Sequence, residues 1–279
     1  MELYNKISFG ISKLITKKYS TSFSLGIMAF DRKYRDAIYS IYGFVRLADE
    51  IVDTFFGFQQ RELLKKLRQE TELAIKTGIS INPILHSFAI TVKKYNIDYH
   101  YIDAFLNSME MDLDNSYYNK KEYDQYVYGS AEVVGLMCLK VFCNDNEELF
   151  NKLIKPARAL GSAFQKVNFL RDIKSDLTER DRIYLPGINS VQKIDDESKK
   201  NLENEIENEF NESLVGIKQL PDGVKLGVYS AYLYYLSLFK RIKRKKVKEL
   251  MKKRIRVPNG IKMALLLRGI IELKLLKEF

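Results

Sequence analysis

The stretch ALGSAFQKVNFLRDIKSDLTERDRIYLPG, residues 159–187, decides the fold. Asp172 and Asp176 stand four residues apart in it. At about 100° per residue of α-helix, Gln165, Asn168, Asp172 and Asp176 share roughly 80° of arc. Arg171 sits to one side, and the neighbours are Phe164, Val167, Phe169, Leu170 and Ile173. A polar stripe therefore runs through an apolar helix, where an ordinary amphipathic helix would carry Leu or Ile.

A second stretch, RDAIYSIYGFVRLADEIVD (35–53), repeats the pattern. Tyr42, Arg46, Asp49 and Asp53 fall within about 60° of one another on a helix. Ile38 and Val45 flank them on the expected core side. Carboxylates at i and i+4 repel unless a cation lies between them. Alone, this pair reads equally as a surface pair with Arg46 as counter-ion. Two such stripes on two helices are more specific, because facing each other they would make an acidic cavity. Such a cavity suits several divalent cations with oxygen ligands, and Mg²⁺ keeps positions open for substrate phosphates. His86 and His100 are the only histidines and lack metal-ligand spacing, which argues against zinc or iron chemistry.

Outward from these stretches the periodicity stays helical. Helices are expected near 4–18, 31–54, 59–77, 83–95, 99–113, 120–142, 147–177, 198–217, 222–250 and 259–277. Breakers fall between them: Asn82-Pro83, Pro186-Gly187, Pro221-Asp222-Gly223 and Val257-Pro258-Asn259-Gly260. No alternating strand pattern, fixed-period repeat or Pro/Ser-rich linker interrupts them. The expectation is one all-α domain over 1–279. With 46% hydrophobic residues the chain can bury a sizeable core.

Cys138 and Cys143 offer neither a disulfide framework nor a zinc spacing, and read as buried thiols in a reducing cytosol. MELYNKISFG shows no charged start followed by an apolar run, so no signal peptide is expected. No stretch reaches the ~20 apolar residues of a membrane span. EVVGLMCLKVFC is broken by Lys140 and MALLLRGIIEL by Arg268. The formal net charge is +10, with much of the excess in FKRIKRKKVKELMKKRIRV (239–257). That run reads as a solvated helix face or as a site for anionic lipid, and nucleic acid is not expected. The chain is expected to be cytoplasmic, with peripheral contact at the inner membrane face through 239–257.

Taken together, these segments resemble the squalene/phytoene synthase family over roughly 16–270. KKYSTSFS (17–24) resembles its N-terminal lysine/serine segment. YGFVRLADEIVD (42–53) resembles its first aspartate motif. YVYGSAEVVG (126–135) resembles its small-residue helix, apart from Glu132. QKVNFLRDIKSD (165–176) with RIYLP (182–186) resembles its second aspartate motif and closing loop. RIRVP (254–258) resembles a late basic motif. A carboxylate at 132 cannot easily face a hydrocarbon tunnel, so Glu132 should point elsewhere or pair with an Arg.

The resemblance implies a helical bundle with a central cavity, of the isoprenoid synthase type. It implies Mg²⁺ ions, with Mn²⁺ as a substitute, held by Asp49, Asp53, Asp172, Asp176 and Asn168. Arg46, Arg171, Arg182 and Arg254 would bind diphosphate oxygens, and Ser20 and Ser22 would assist. Gln165 would line the cavity. Tyr42, Tyr126 and Tyr184 would lie near the reacting centre. The implied activity is prenyl transfer in carotenoid biosynthesis. Two geranylgeranyl diphosphates would condense head to head through a cyclopropylcarbinyl diphosphate to phytoene. Dehydrosqualene or squalene from two farnesyl diphosphates is the alternative. A non-catalytic lipid- or nucleic-acid-binding helical protein is the reading from another class.

Overall fold

The computed structural model describes residues 1–186, 188 and 194–274. Among them the chain is helical, with one isolated parallel bridge, Tyr117 to Ile183, and no strand. The expected end of the last helix at 275–277, and Gly187, lie outside the described residues.

The first helices are α1 (Glu2–Tyr19), α2 (Thr21–Met28) and α3 (Arg32–Asp53). They are followed by α4 (Gln60–Thr77), α5 (Pro83–Lys94) and α6 (Tyr99–Asp114). A continuous helical run comprises α7 (Lys120–Val127), a π turn (Tyr128–Glu132) and α8 (Val133–Cys143). Then come α9 (Glu147–Glu179), α10 (Asp196–Gln219), α11 (Asp222–Lys243), α12 (Val247–Leu250) and α13 (Asn259–Lys274). Sequence chemistry sets several of the starts. Asn82 caps α5 ahead of Pro83, Asn146 caps α9 through Leu149, and Asp195 with Ser198 forms a capping box for α10.

Two helix assignments change. α2 was not expected from periodicity, because it is short and rich in Ser and Thr. Its start signal is local: the Ser20 hydroxyl accepts the Phe23 amide at 3.2 Å. The helix expected over 222–250 stops at Lys243. Lys246 then opens a capping box with Glu249 that starts α12. The continuous helix Lys120–Cys143 is long and apolar enough to span a membrane by length and composition, contrary to the expectation from shorter runs. Its most apolar stretch is 56% buried in the bundle, as a core helix would be.

Two apolar cores flank the site-bearing helices. One gathers α3, α5, α6 and α8, with Phe44 stacked on Phe88 at 4.1 Å. The other gathers α7, α9, α10 and α11 around Leu170, Ile206 and Phe239. The π turn is wedged between α6 and α9. A Cβ on Gly129 would lie 2.4 Å from the Ala104 carbonyl oxygen, and one on Gly161 would lie 2.6 Å from that of Ala131. Glu132, next in the turn, pairs with Arg158 at 2.6 Å and is not in the cavity wall that Ser130, Ala131 and Val134 line. The expected arginine partner is thus found.

His86 is buried against Asn5 at 2.8 Å, and His100 meets the Tyr128 hydroxyl at 3.2 Å, both as ordinary packing residues. Both thiols are free. Burial pushes Cys138 up to about 12 and Cys143 up to about 11.

Helix propensity alone favours Gly161→Ala by about 1 kcal/mol. The backbone contact reverses that sign, and Gly161→Ala is expected to destabilise the protein by about 1–3 kcal/mol. Urea unfolding checks this, and a variant as stable as wild type would mean that α9 and the π turn can separate freely.

Candidate active site

α3 and α9 each pass an apolar cavity first and reach their carboxylates later. The cavity holds ≈ 260 Å³ and is walled by Ile38 and Val45 of α3 and by Leu153, Leu160 and Phe164 of α9. From Leu153 to Gln165 this wall runs roughly 18 Å at 1.5 Å per residue. Gln165 lines the cavity.

Aromatic pairs form the step between cavity and carboxylates. Phe23 stacks on Tyr42 at 5.0 Å, and Phe164 on Tyr235 at 3.9 Å. The Tyr235 hydroxyl donates to Asn168 Oδ1 at 3.3 Å, and Asn168 Nδ2 donates to Gln165 at 3.4 Å. Burial pushes the Tyr42 hydroxyl up to about 12. It remains a neutral hydroxyl near neutral pH.

The two acidic stripes face each other. Arg180 stands between them, its Nε 3.2 Å from Asp53 Oδ1 and its Nη1 3.0 Å from Asp176 Oδ1. Arg182 donates to Asp53 at 2.8 Å. Asp172 takes Arg171 Nε at 2.9 Å and Arg254 Nε at 2.7 Å. Arg46 pairs with Glu50, lies 3.9 Å from Asp49, and covers the Tyr19 ring at 4.3 Å. Arg171, Arg180 and Arg254 line a wide outer groove of ≈ 1110 Å³ that continues to Arg241, Arg244 and Lys252.

The backbone of the closing loop is pinned so that Arg182 points inward. Asp181 takes a left-handed turn at φ 53°, which Asp tolerates. The Arg182 amide then donates to the Asp176 carbonyl at 2.9 Å, and the Ile183 amide to Ser116 at 2.8 Å. Tyr184 follows, and its hydroxyl donates to Asp112 Oδ1 at 2.7 Å. Tyr126 donates to Asp112 Oδ2 at 2.8 Å. Both tyrosines are thus drawn into a buried network behind the carboxylates. Ser20 caps α2 next to Tyr42. Ser22 lines a small pocket with Tyr234 and Lys262.

Sequence reading missed Asp112, Tyr118, Arg180 and Tyr235. Arg180 was within reach, since it continues the Asp172–Asp176 stripe by four residues. Asp112 follows Phe105 and Met109 on the buried side of α6, the same polar-in-apolar signal that marked α9.

Burial and mutual repulsion make the carboxylates of the acidic centre resist ionisation. Burial, and next the Asp53 carboxylate, push Asp49 up to about 7. Burial, and next Asp172, push Asp176 up to about 7. Among the described residues no three His, Cys, Asp or Glu side chains are grouped to hold a metal as they stand. Guanidinium groups occupy the space between the carboxylates instead. The donor set still fits a hard divalent cation: oxygen ligands on two facing helices, ionised reluctantly unless positive charge is near. Asp49, Asp53, Asp172 and Asp176, with Asn168 one turn away, are the groups that would hold it.

The architecture is that of the isoprenoid synthase helical folds. A solved dehydrosqualene synthase in complex with ligand superposes with TM-score 0.81 at 22% identity, over 97% of this chain and 98% of that one. The squalene synthase HpnC from Alicyclobacillus acidocaldarius superposes with TM-score 0.75 at 19% identity, over 87% and 95%. The family model for squalene/phytoene synthase matches residues 16–260, and the chain belongs to that family. A phytoene synthase of Arthrospira platensis is 32% identical over 190 residues, 64% of this chain and 61% of that protein. A chloroplastic phytoene synthase of an Oncidium hybrid cultivar is 28% identical over 250 residues, 82% and 59%. The matched region thus spans about three fifths of these relatives' length.

A pH dependence follows from Asp49 and Asp176. Unfolded carboxylates titrate near 4, whereas these two titrate near 7 in the folded protein. Between those values the folded state binds more protons, so their contribution to stability falls as pH rises from about 4 to about 7 and is level above. In metal-free protein, Asp49→Asn should lessen this fall, and Mg²⁺ should raise the unfolding midpoint more at pH 8 than at pH 5. Thermal unfolding across pH checks both, and a Mg²⁺ effect independent of pH would contradict the reading.

Proposed function

We propose that this chain is a magnesium-dependent prenyl transferase that joins two geranylgeranyl diphosphates head to head to give phytoene. The observation that carries the reading is that α3 and α9 wall one apolar cavity and, further along the same helices, bring their carboxylates together around Arg180. The relatives described as phytoene synthases support the C20 substrate and a place in carotenoid biosynthesis. The solved dehydrosqualene and squalene synthases, alike in fold, support farnesyl diphosphate as the competing substrate.

Magnesium, when bound, neutralises diphosphate charge and so assists departure of the leaving group. The chain's own residues do the rest. Arg171 and Arg254, which line the outer groove, present forked donors to diphosphate oxygens. The apolar wall takes the isoprenoid tails and keeps water from the allylic cation left when the C–O bond breaks. Tyr42, Phe23, Phe164 and Tyr235 offer π faces to that cation at the cavity mouth. The double bond of the second substrate then supplies the electron pair for the new C–C bond. A proton is lost as the cyclopropane closes; in the second round the remaining diphosphate leaves, the ring opens, and loss of a second proton forms the central double bond of phytoene.

The test is incubation of purified protein with Mg²⁺ and either donor, with and without NADPH, followed by mass analysis of the extract. A C40 product from the C20 donor alone is expected. A C30 product would move the substrate to farnesyl diphosphate. Asp53→Asn or Asp176→Asn should lower kcat/KM at least about 100-fold, since several kcal/mol of charge stabilisation are at stake.

The reading includes work at a membrane face. α13 packs on α11 and leaves Met263 (49%), Leu267 (57%) and Ile271 (46%) exposed in an i, i+4, i+8 line. Arg241, Arg244 and Lys252 of the outer groove lie on the neighbouring segments. The contact expected from 239–257 alone is therefore extended to α13. An apolar ridge beside cations suits anionic lipid. Flotation with anionic vesicles at low salt is expected, with loss when all three aliphatics become Ser. No flotation of the wild type would remove this part of the reading.

A further inference from the structure

Asp112 is a buried carboxylate that the family motifs in this sequence do not mark. It lies near the end of α6, 7% exposed. Three tyrosine hydroxyls donate to it: Tyr118 at 2.9 Å and Tyr184 at 2.7 Å on Oδ1, and Tyr126 at 2.8 Å on Oδ2. Arg182 Nη1 stands 3.8 Å from the same Oδ1. That nitrogen also donates to Asp53 at 2.8 Å. One guanidinium is thus shared between a candidate metal ligand and a carboxylate set behind it.

We infer that Asp112 is a positioning residue, which holds Arg182 as a counter-ion that Asp53 releases when a divalent cation binds, and thereby sets the site's affinity for that cation. The inference rests on the reading of Asp53 as a metal ligand. A guanidinium and Mg²⁺ compete for the same Asp53 oxygen. If Asp53 turned to the metal with no second carboxylate near, Arg182 would be a buried charge without a counter-ion, which is costly. Its side chain is only 7% exposed, so water cannot take over. Asp112 removes that cost with a side-chain movement alone. The backbone of Arg182 need not shift, since it is fixed to Asp176 and, through Ile183, to Ser116. The three hydroxyls hold the Asp112 carboxylate in place while Arg182 changes partner.

A purely structural Asp112 would tie α6, α7 and the closing loop together without touching metal affinity. The two roles separate in a titration of Mg²⁺ into metal-free protein with inorganic diphosphate present, read by calorimetry and by the unfolding midpoint. The proteins are wild type, Asp112→Asn, Arg182→Gln and the double variant. The amide in Asp112→Asn can still accept and donate to the tyrosine hydroxyls. Arg182 would then be left on Asp53, and Mg²⁺ should bind about 10-fold more weakly, the usual scale for a group behind a metal ligand. Adding Arg182→Gln should return the affinity to wild type, and Arg182→Gln alone should tighten it. Unchanged Mg²⁺ affinity in Asp112→Asn, or a double variant as weak as that single one, overturns the inference. If Asp112→Asn does not fold, Arg182→Gln alone decides, because unchanged or weaker binding in it also overturns the inference. No Mg²⁺ binding by the wild type would instead overturn the metal reading of Asp53, and the inference with it.

Discussion

Carboxylates on the inner faces of packed helices are tolerated only where positive charge is close, because burial disfavours the ion far more than burial of an apolar group favours folding. Asp49, Asp53, Asp172 and Asp176 impose that condition on the centre of this bundle. In the protein alone the condition is met by arginines: Arg180 between the two stripes, Arg182 on Asp53, and Arg171 with Arg254 on Asp172. Those charges meet where α3, α9, the closing loop and the late basic segment come together. Burial alone would push Arg182 down, but Asp112, Tyr184 and Asp53 together hold it above the ordinary arginine range. The cations are therefore permanent, and the carboxylates are the groups whose charge can vary.

The same two helices carry opposite chemistry along their length. α9 offers Leu153, Leu160 and Phe164 to the cavity, then Gln165 and Asn168, and then its carboxylates. α3 passes from Ile38 and Val45 to Asp49 and Asp53 in the same sense. A substrate with a hydrocarbon tail and an anionic head matches that gradient. The close approach of α9 to the π turn, allowed by Gly161, sets how near the far wall stands. Glu132 avoids the cavity by turning to Arg158, and Arg158 in turn covers the Tyr128 ring at 5.2 Å. The departure at that position thus leaves the apolar wall intact.

How far the sequence could be read depended on how local the cause was. Helix periodicity and caps involve neighbours within a turn or two, so most helices and both aspartate stripes were legible. α2 was missed because eight residues give little periodicity, although its Ser20 cap was visible. The break after Lys243 was missed because a basic run continues through it, and the new capping box at Lys246 is its only local mark. Tyr126 and Tyr184 were expected at the reacting centre. Their hydroxyls meet Asp112, 14 and 72 residues away along the chain, a pairing that no spacing rule contains.

By itself the sequence determined that the chain is helical, that two helices carry paired carboxylates on apolar backgrounds, and that those stripes need cations. These are properties of one helix face and follow from the 3.6-residue turn and the cost of burying charge. Only the tertiary structure decided which cation meets which carboxylate, and that Arg182 is shared between Asp53 and Asp112. Those outcomes depend on where helices far apart in sequence cross. The crossing is fixed by close contacts, such as Gly161 on Ala131 and Ile183 on Ser116, whose partners cannot be read from either segment alone.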